Sequence, residues 1–518
     1  MLFNSYIFIL LFLPLTLLGF FLIGSYSRPI AALWLFAASL FFYGWWNPAY
    51  VGLLLASVFF NYAVGMALSR EHALRHLRRS QGILGLGVTS NLCLLGYFKY
   101  ANFFVSNIDS ALNLDWQIEP IILPLGISFF TFTQIAFLVD AYRGEVKETN
   151  FIHYGLFVTY FPHLIAGPVL HHKEMMPQFA HATTYRPHWE NMSVGLTIFS
   201  IGLFKKVVLA DGVSPFASPV FSAAAHGDML TFIEAWSGAL AYTFQLYFDF
   251  SGYSDMAIGI SRLFGVKLPL NFNSPYKAVS IIDFWRRWHM TLSRFLRDYL
   301  YFALGGNRKG HVRRYLNLLA TMFLGGLWHG AGWTFVMWGT LHGIYLMINH
   351  TWQQFRIAIG HDLKNSTTFG RLAGITLTFF AVVIGWVFFR ANSFEAALSI
   401  LKGMVGLNGI TLPVEWNVHF TSKQVNWLQN FGVSFGHLPA LSSVKDVSIR
   451  IATVSVLAWL APNTQQIMTA FKPALESVSY NGLLRWHPNK FWLGYITVVL
   501  IYAFNEMGKV SEFLYFQF

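Results

Sequence analysis

The chain has 518 residues, 55% of them hydrophobic and only 11% charged, against about 25% charged in an ordinary soluble domain. Its net charge of +12 would suit nucleic acid, but the basic residues sit at the ends of apolar runs, where positive-inside bias accounts for them. An assembly of soluble domains and a nucleic-acid-binding protein are set aside, and the single cysteine, Cys93, excludes disulfides and cysteine-ligated metal.

The apolar runs are too long for barrel strands, which predicts an all-α integral membrane protein. Spans are expected near 5–24, 30–46, 50–68, 82–98, 121–141, 151–168, 190–209, 234–260, 313–329, 332–350, 372–389, 447–461 and 491–506. The first lacks a basic n-region and a small-residue cleavage site, so it reads as a retained span. No charged side chain lies between Arg28 and Arg70, room for two spans folded at Asn47-Pro48. The loop SREHALRHLRRSQG carries Arg70, Arg75, Arg78 and Arg79. It therefore belongs to the cytoplasm, with the N-terminus outside.

Further along, AYRGEVK reads as cytoplasmic, and Lys205-Lys206 as the cytoplasmic end of the 190–209 span. Span 234–260 must also exit inward, so the count of crossings fails. Something within 207–231, which holds Pro215 and Pro219, is expected to dip in or cross as a broken helix. His163, His171 and His172 lack metal-ligand spacing. Asp249 and Asp255, six apart, do not share a helix face and read as structural partners of arginine or backbone.

Residues 283–314 hold eight of the 35 basic residues, among them Arg286, Arg287, Arg294, Arg308 and Lys309. Read as one helix, Phe284, Trp288, Leu292, Phe295 and Tyr299 form an aromatic stripe, with Arg287 and Arg294 on another face. Two readings stay open: an anchor for acidic lipid, or a site for an anionic cytoplasmic substrate whose phosphates meet the arginines and the Gly305-Gly306 turn. The next helix carries His329, 15 residues past Arg314 and so roughly 22 Å into the bilayer. Gly325, Gly326, Gly330 and Gly332 surround it and permit close helix approach or a local break. An ionisable group at that depth is a functional candidate. Residues 406–446 read as an outside loop. The chain closes on SEFLYFQF, with Tyr515 among its aromatic rings.

Taken together, YFDFSGYSDMAIG, NFNSPY, DFWRRWHMTLSRFLRDYLY, LGGNR, LGGLWHGAGWTFVMWG and GWVFFRANSFEAA resemble the membrane-bound O-acyltransferase family. The branch they resemble is the bacterial one that acetylates alginate, peptidoglycan and other exopolymers. The likeness covers about 121–405 of a single membrane domain, followed by the 406–446 loop, two terminal spans over 447–506 and a tail at 507–518. It implies a ring of tilted helices with re-entrant segments around a central catalytic funnel. By motif, His329 matches the family's invariant histidine and His289 its second active-site position. The resemblance also implies acetyl-CoA as donor with no permanently bound cofactor, and phosphate contacts from the 286–314 cluster.

The expected function is an acetyl-CoA-dependent O-acetyltransferase of the bacterial cytoplasmic (inner) membrane, multi-pass, serving an envelope or secreted polysaccharide. His329 is the expected general base, because an imidazole of pKa near 6.5 suits proton removal at neutral pH. Phe513, Tyr515 and Phe518 form F-x-Y-x-x-F. This resembles the tail of peptidoglycan O-acetyltransferases in the family, and the end of the small partner in teichoic-acid D-alanylation, where the tyrosine carries the acyl group. An outside partner of SGNH type with a Ser-His-Asp site is expected, since no soluble domain here could hold a long glycan. D-alanyl transfer and a transporter or flippase remain as alternatives. Membrane lipid is an expected partner, and nucleic acid is not.

Overall fold

A computed structural model describes residues 1–114, 116, 119–363, 367–509 and 514. Helices form almost all of its regular structure. Among the described residues, four are long and apolar enough to cross a membrane: Ala49–Ala73, Leu77–Leu112, Trp189–Ala225 and Thr368–Arg390. Phe8–Gly24, Arg28–Gly44 and Ile127–Tyr142 are shorter apolar helices.

The Phe232–Leu263 helix is the axis of the molecule, buried without interruption from Ala241 to Leu263. Its first half lies in one buried cluster, with Trp338, Trp386 and Phe389. Its second half lies in another, built from the N-terminal helices. It crosses the Trp189–Ala225 helix at two glycine contacts. A Cβ on Gly202 would stand 2.7 Å from the Gly252 carbonyl, and one on Gly195 would stand 2.7 Å from that of Gly259. Only hydrogen at these positions lets the backbones meet.

This pair corrects the sequence reading of Lys205 and Lys206. They do not end a span. They sit mid-helix, where Lys205–Ala210 is wound as a π-helix between Trp189–Phe204 and Asp211–Ala225. Pro215 and Pro219 lie inside that last helix and do not break it. Lys206 Nζ meets Asp211 at 2.7 Å and Asp249 at 2.8 Å, and Lys205 Nζ meets Asp255 at 2.6 Å. The buried carboxylates are thus partners of lysine rather than arginine, because the π-turn rotates both ammonium groups toward the axial helix.

The expected span at 151–168 is also absent. Phe151–Thr159 and Phe161–Leu164 are nine and four residues long, too short to cross about 30 Å of hydrocarbon. The helix that follows begins beside one end of Ile127–Tyr142. His172 Nδ1 lies 3.0 Å from Asp140, and Lys173 lies 3.8 Å from Glu145.

Loop 406–446 is folded. Ile410–Pro413 pairs in parallel with Val433–Gly436, joined through the Ser422–Asn430 helix. The unit docks on the start of the axial helix through Ala440 N–H to Glu234, 3.1 Å.

Candidate active site

His329 is the last residue of the Gly310–His329 helix, one turn beyond the glycine pair that sets its position. A Cβ on Gly326 would stand 3.0 Å from Gly339 Cα, so this helix and Trp333–Ala358 touch along their backbones. Gly330 then turns extended, at φ −158°, and ends the helix. Of the expected glycines, Gly326 provides the close approach and Gly330 the break.

The His329 ring is 7% exposed and is held edge-on by Trp328, Trp338 and Phe389, with centroids 4.8, 5.0 and 5.2 Å away. Its Nδ1 is buried without a hydrogen-bond partner among the described residues. Three aromatic walls fix the plane of the ring while offering its nitrogen no competing donor or acceptor.

His289 is fully buried at the same place, and the Trp328 ring, which touches His329, lies 6.4 Å from it. The helix read through Phe284 to Tyr299 is broken here. Ile281–Trp285 ends, His289 takes a left-handed φ of 41°, and Met290–Phe295 begins. The aromatic stripe survives the break, since Phe284, Trp288, Leu292 and Phe295 are all buried.

His289 Nδ1 lies 3.0 Å from Asn271 Oδ1, which also accepts the Thr291 hydroxyl at 2.9 Å. That hydroxyl accepts from Val169 N–H at 3.0 Å, so its own proton points to Asn271. The amide oxygen therefore faces His289, which donates from Nδ1 and keeps its lone pair on Nε2. Asn271 lies in the NFNSPY motif, but its pairing depends on a turn that brings it against the helix break. Sequence spacing carried no sign of it.

Five basic residues were expected to meet an anionic substrate, and the structure divides them. Arg294 is committed to Glu174 through two bonds of 2.7 and 2.9 Å, and Arg287 to Asp283 at 2.8 Å. Arg286, Arg308 and Lys309 are exposed. His350 bonds Arg314 at 2.9 Å. Arg314 and His350 thus adjoin the expected cluster.

Beside it, His171 Nδ1 lies 3.0 Å from Tyr299 Oη, and Tyr299 donates to Asp140 at 2.9 Å. Burial first, and Arg294 second, lower the His171 pKa to about 4. The neutral ring is a donor to the phenol, and the three groups tie the end of Ile127–Tyr142 to the start of His172–Ala180. Among the described residues no cluster has the make-up of a metal site.

Lys99 and Tyr100 also reach this site and were missed. Lys99 Nζ bonds the carbonyls of Trp328 and His329, and Tyr100 Oη bonds that of Leu327. A lone lysine one residue past an expected span was the available signal. Tyr515, Phe513 and Phe518 lie outside the described residues. Leu514 is fully buried, in the cluster that contains Trp338 and Phe389, two of the rings around His329.

Residues 76–393 match the model of the membrane-bound O-acyltransferase family. The chain is 46% identical to a peptidoglycan O-acetyltransferase of Helicobacter pylori, over 80% of this chain and 81% of the relative. It is 38% identical to the "Probable alginate O-acetylase AlgI" of Pseudomonas aeruginosa, over 100% of both. It is 28% identical to a teichoic acid D-alanyltransferase of Streptococcus thermophilus, over 51% of this chain and 68% of the relative.

Proposed function

The chain belongs to the membrane-bound O-acyltransferase family and is an acyltransferase of membranes, and on that premise we propose that it moves acetyl groups from cytoplasmic acetyl-CoA to the outer face of the bacterial inner membrane. There they serve O-acetylation of an envelope or secreted polysaccharide. The names of the relatives that match over most of the chain support acetyl over D-alanyl transfer, since the D-alanyltransferase match is at 28% identity and covers 51% of the chain.

Several contacts support the sidedness. If 146–170 is re-entrant, Trp189–Ala225 crosses outward and Phe232–Leu263 returns, so Arg286, Arg308 and Lys309 face the cytoplasm. Lys277 Nζ to Ala461 O, 2.7 Å, and Tyr6 Oη to Phe504 O, 2.9 Å, fit the same count at opposite faces. The coenzyme's phosphates meet Arg286, Arg308 and Lys309, and its thioester reaches His329.

In the proposed step, His329 takes the proton of the Tyr515 hydroxyl as the phenol oxygen attacks the thioester carbonyl. The C–S bond breaks, and the thiolate recovers the proton as the free coenzyme thiol. The acetyl phenol ester then passes to an outside SGNH-type partner, which delivers it to the glycan. A phenol of pKa near 10 is close to a thiol near 8.5 as a leaving group, so the ester keeps much of the donor's transfer potential. His289, fixed by Asn271, positions the carbonyl.

The observation that carries this reading is the His329 ring, buried between three aromatic walls with Nδ1 unpartnered among the described residues. The test is labelled acetyl-CoA with membrane vesicles. His329→Ala should insert normally and transfer no more than about a hundredth of the label. Retention of a tenth or more would remove His329 from the role.

A further inference from the structure

Lys99 is the only charged residue between Arg79 and Asp109, and it lies inside the membrane-length Leu77–Leu112 helix. An ammonium at such depth is held only where partners compensate it. All three of its N–H bonds end on neutral oxygens: the Trp328 carbonyl, the His329 carbonyl at 3.2 Å and Ser128 Oγ at 3.2 Å.

Two of those oxygens are the orphaned carbonyls of the helix that ends at His329. Because Gly330 turns extended, the helix has no local cap. The cap comes from another helix, with Tyr100 Oη on Leu327 O at 2.8 Å and Lys99 on the next two carbonyls. A cation at a helix C-terminus also meets the negative end of the helix dipole.

The same face holds the far side of the break. Residues 99, 103 and 107 recur at i+4. Phe103 packs on Trp333 with centroids 5.6 Å apart, and Asn107 Oδ1 accepts Trp333 Nε1–H at 2.8 Å. The stretch from Gly96 to Tyr100 is wound as a π-helix, a form often found where a helix must aim a side chain at a functional site.

We propose that Lys99 is a positioning residue for acyl transfer. By capping the last turn before Gly330, it fixes the depth and orientation of the His329 imidazole relative to the acyl donor. This rests on the reading of His329 as the base.

The test is steady-state transfer from labelled acetyl-CoA by the full chain in proteoliposomes. Lys99→Met should lower kcat about 100-fold, the loss expected of a reacting group misplaced by about an ångström. The KM for acetyl-CoA should stay within about threefold, because the proposed phosphate contacts lie at the other end of the Gly310–His329 helix. Lys99→Arg, which keeps the cation and its donors, should recover at least a tenth of the wild-type kcat, with the melting temperature of both variants close to wild type. Tyr100→Phe, which deletes one cap bond and nothing else, should give a smaller loss in kcat alone. Within His329→Ala, adding Lys99→Met should change nothing further.

Wild-type kcat in Lys99→Met would overturn the proposal. So would parallel losses in kcat, KM and melting temperature that Lys99→Arg does not relieve, if Tyr100→Phe is silent. Activity retained by His329→Ala alone would instead overturn the reading of His329 and leave the Lys99 measurement to stand by itself.

Discussion

Asn271 decides which nitrogen His289 presents. The Val169, Thr291 and Asn271 hydrogen bonds leave its Nδ1 as donor, so Nε2 is the atom that accepts. Asn271→Leu should lower kcat by about 10-fold or more through loss of that tautomer, with little change in KM for acetyl-CoA. His289→Asn should cost less than His289→Ala in the same assay, and equal losses would count against a hydrogen-bonding role. Arg286 and Arg294, both expected phosphate contacts, should separate. Arg286→Ala should raise KM for acetyl-CoA while kcat holds. Arg294→Ala should act on stability by about 1.5–3 kcal/mol, because it strands the Glu174 carboxylate that it grips with two bonds. Thermal unfolding of the two variants distinguishes these outcomes. The burial of His329 was legible from its place among apolar residues and glycines, whereas His289 was singled out by the resemblance of its motif and not by its surroundings. Asn271 gave no such sign, and the lone Lys99 gave a signal without a partner, since the partners of both are brought near only by the tertiary fold.

Among the elements, the Trp189–Ala225 and Phe232–Leu263 pair shows why counting charges along a chain misplaces a boundary. Lys206 has a side chain only 1% exposed, and Asp249 one of 3%. A lysine that meets two carboxylates inside the fold has no need of the interface. Lys206→Met should leave Asp211 and Asp249 without their cation and destabilise the protein by about 3–5 kcal/mol, read as loss of folded protein after detergent extraction. Folded Lys206→Met with an unchanged melting temperature would show the pair to be dispensable. Helix existence was legible from apolar runs at most of the expected spans. The excursion at 151–164 was not, because its residues are as apolar as a span and only the break at Tyr160 and the return to Asp140 reveal its length. The small parallel sheet within 410–436 was equally hidden, its strands being four residues each.

At the scale of the whole molecule, the proposed transfer needs one path between two faces. In that proposal the exposed cations Arg286, Arg308 and Lys309 receive the donor, the buried His289 and His329 lie at its middle, and Tyr515 takes the acetyl group. Leu514 is buried among the cluster of Trp338 and Phe389. Tyr515→Phe keeps the ring and removes only the hydroxyl. It should block delivery of acetyl to an outer acceptor while acetyl-CoA still binds with wild-type affinity. The most direct measurement is mass spectrometry of the C-terminal peptide after acetyl-CoA is supplied to the Arg286 face of proteoliposomes with no acceptor outside. An acetyl ester on Tyr515 in the wild type, absent from His329→Ala, is the predicted result. Unmodified Tyr515 in a preparation that still transfers acetyl to an added glycan would contradict it.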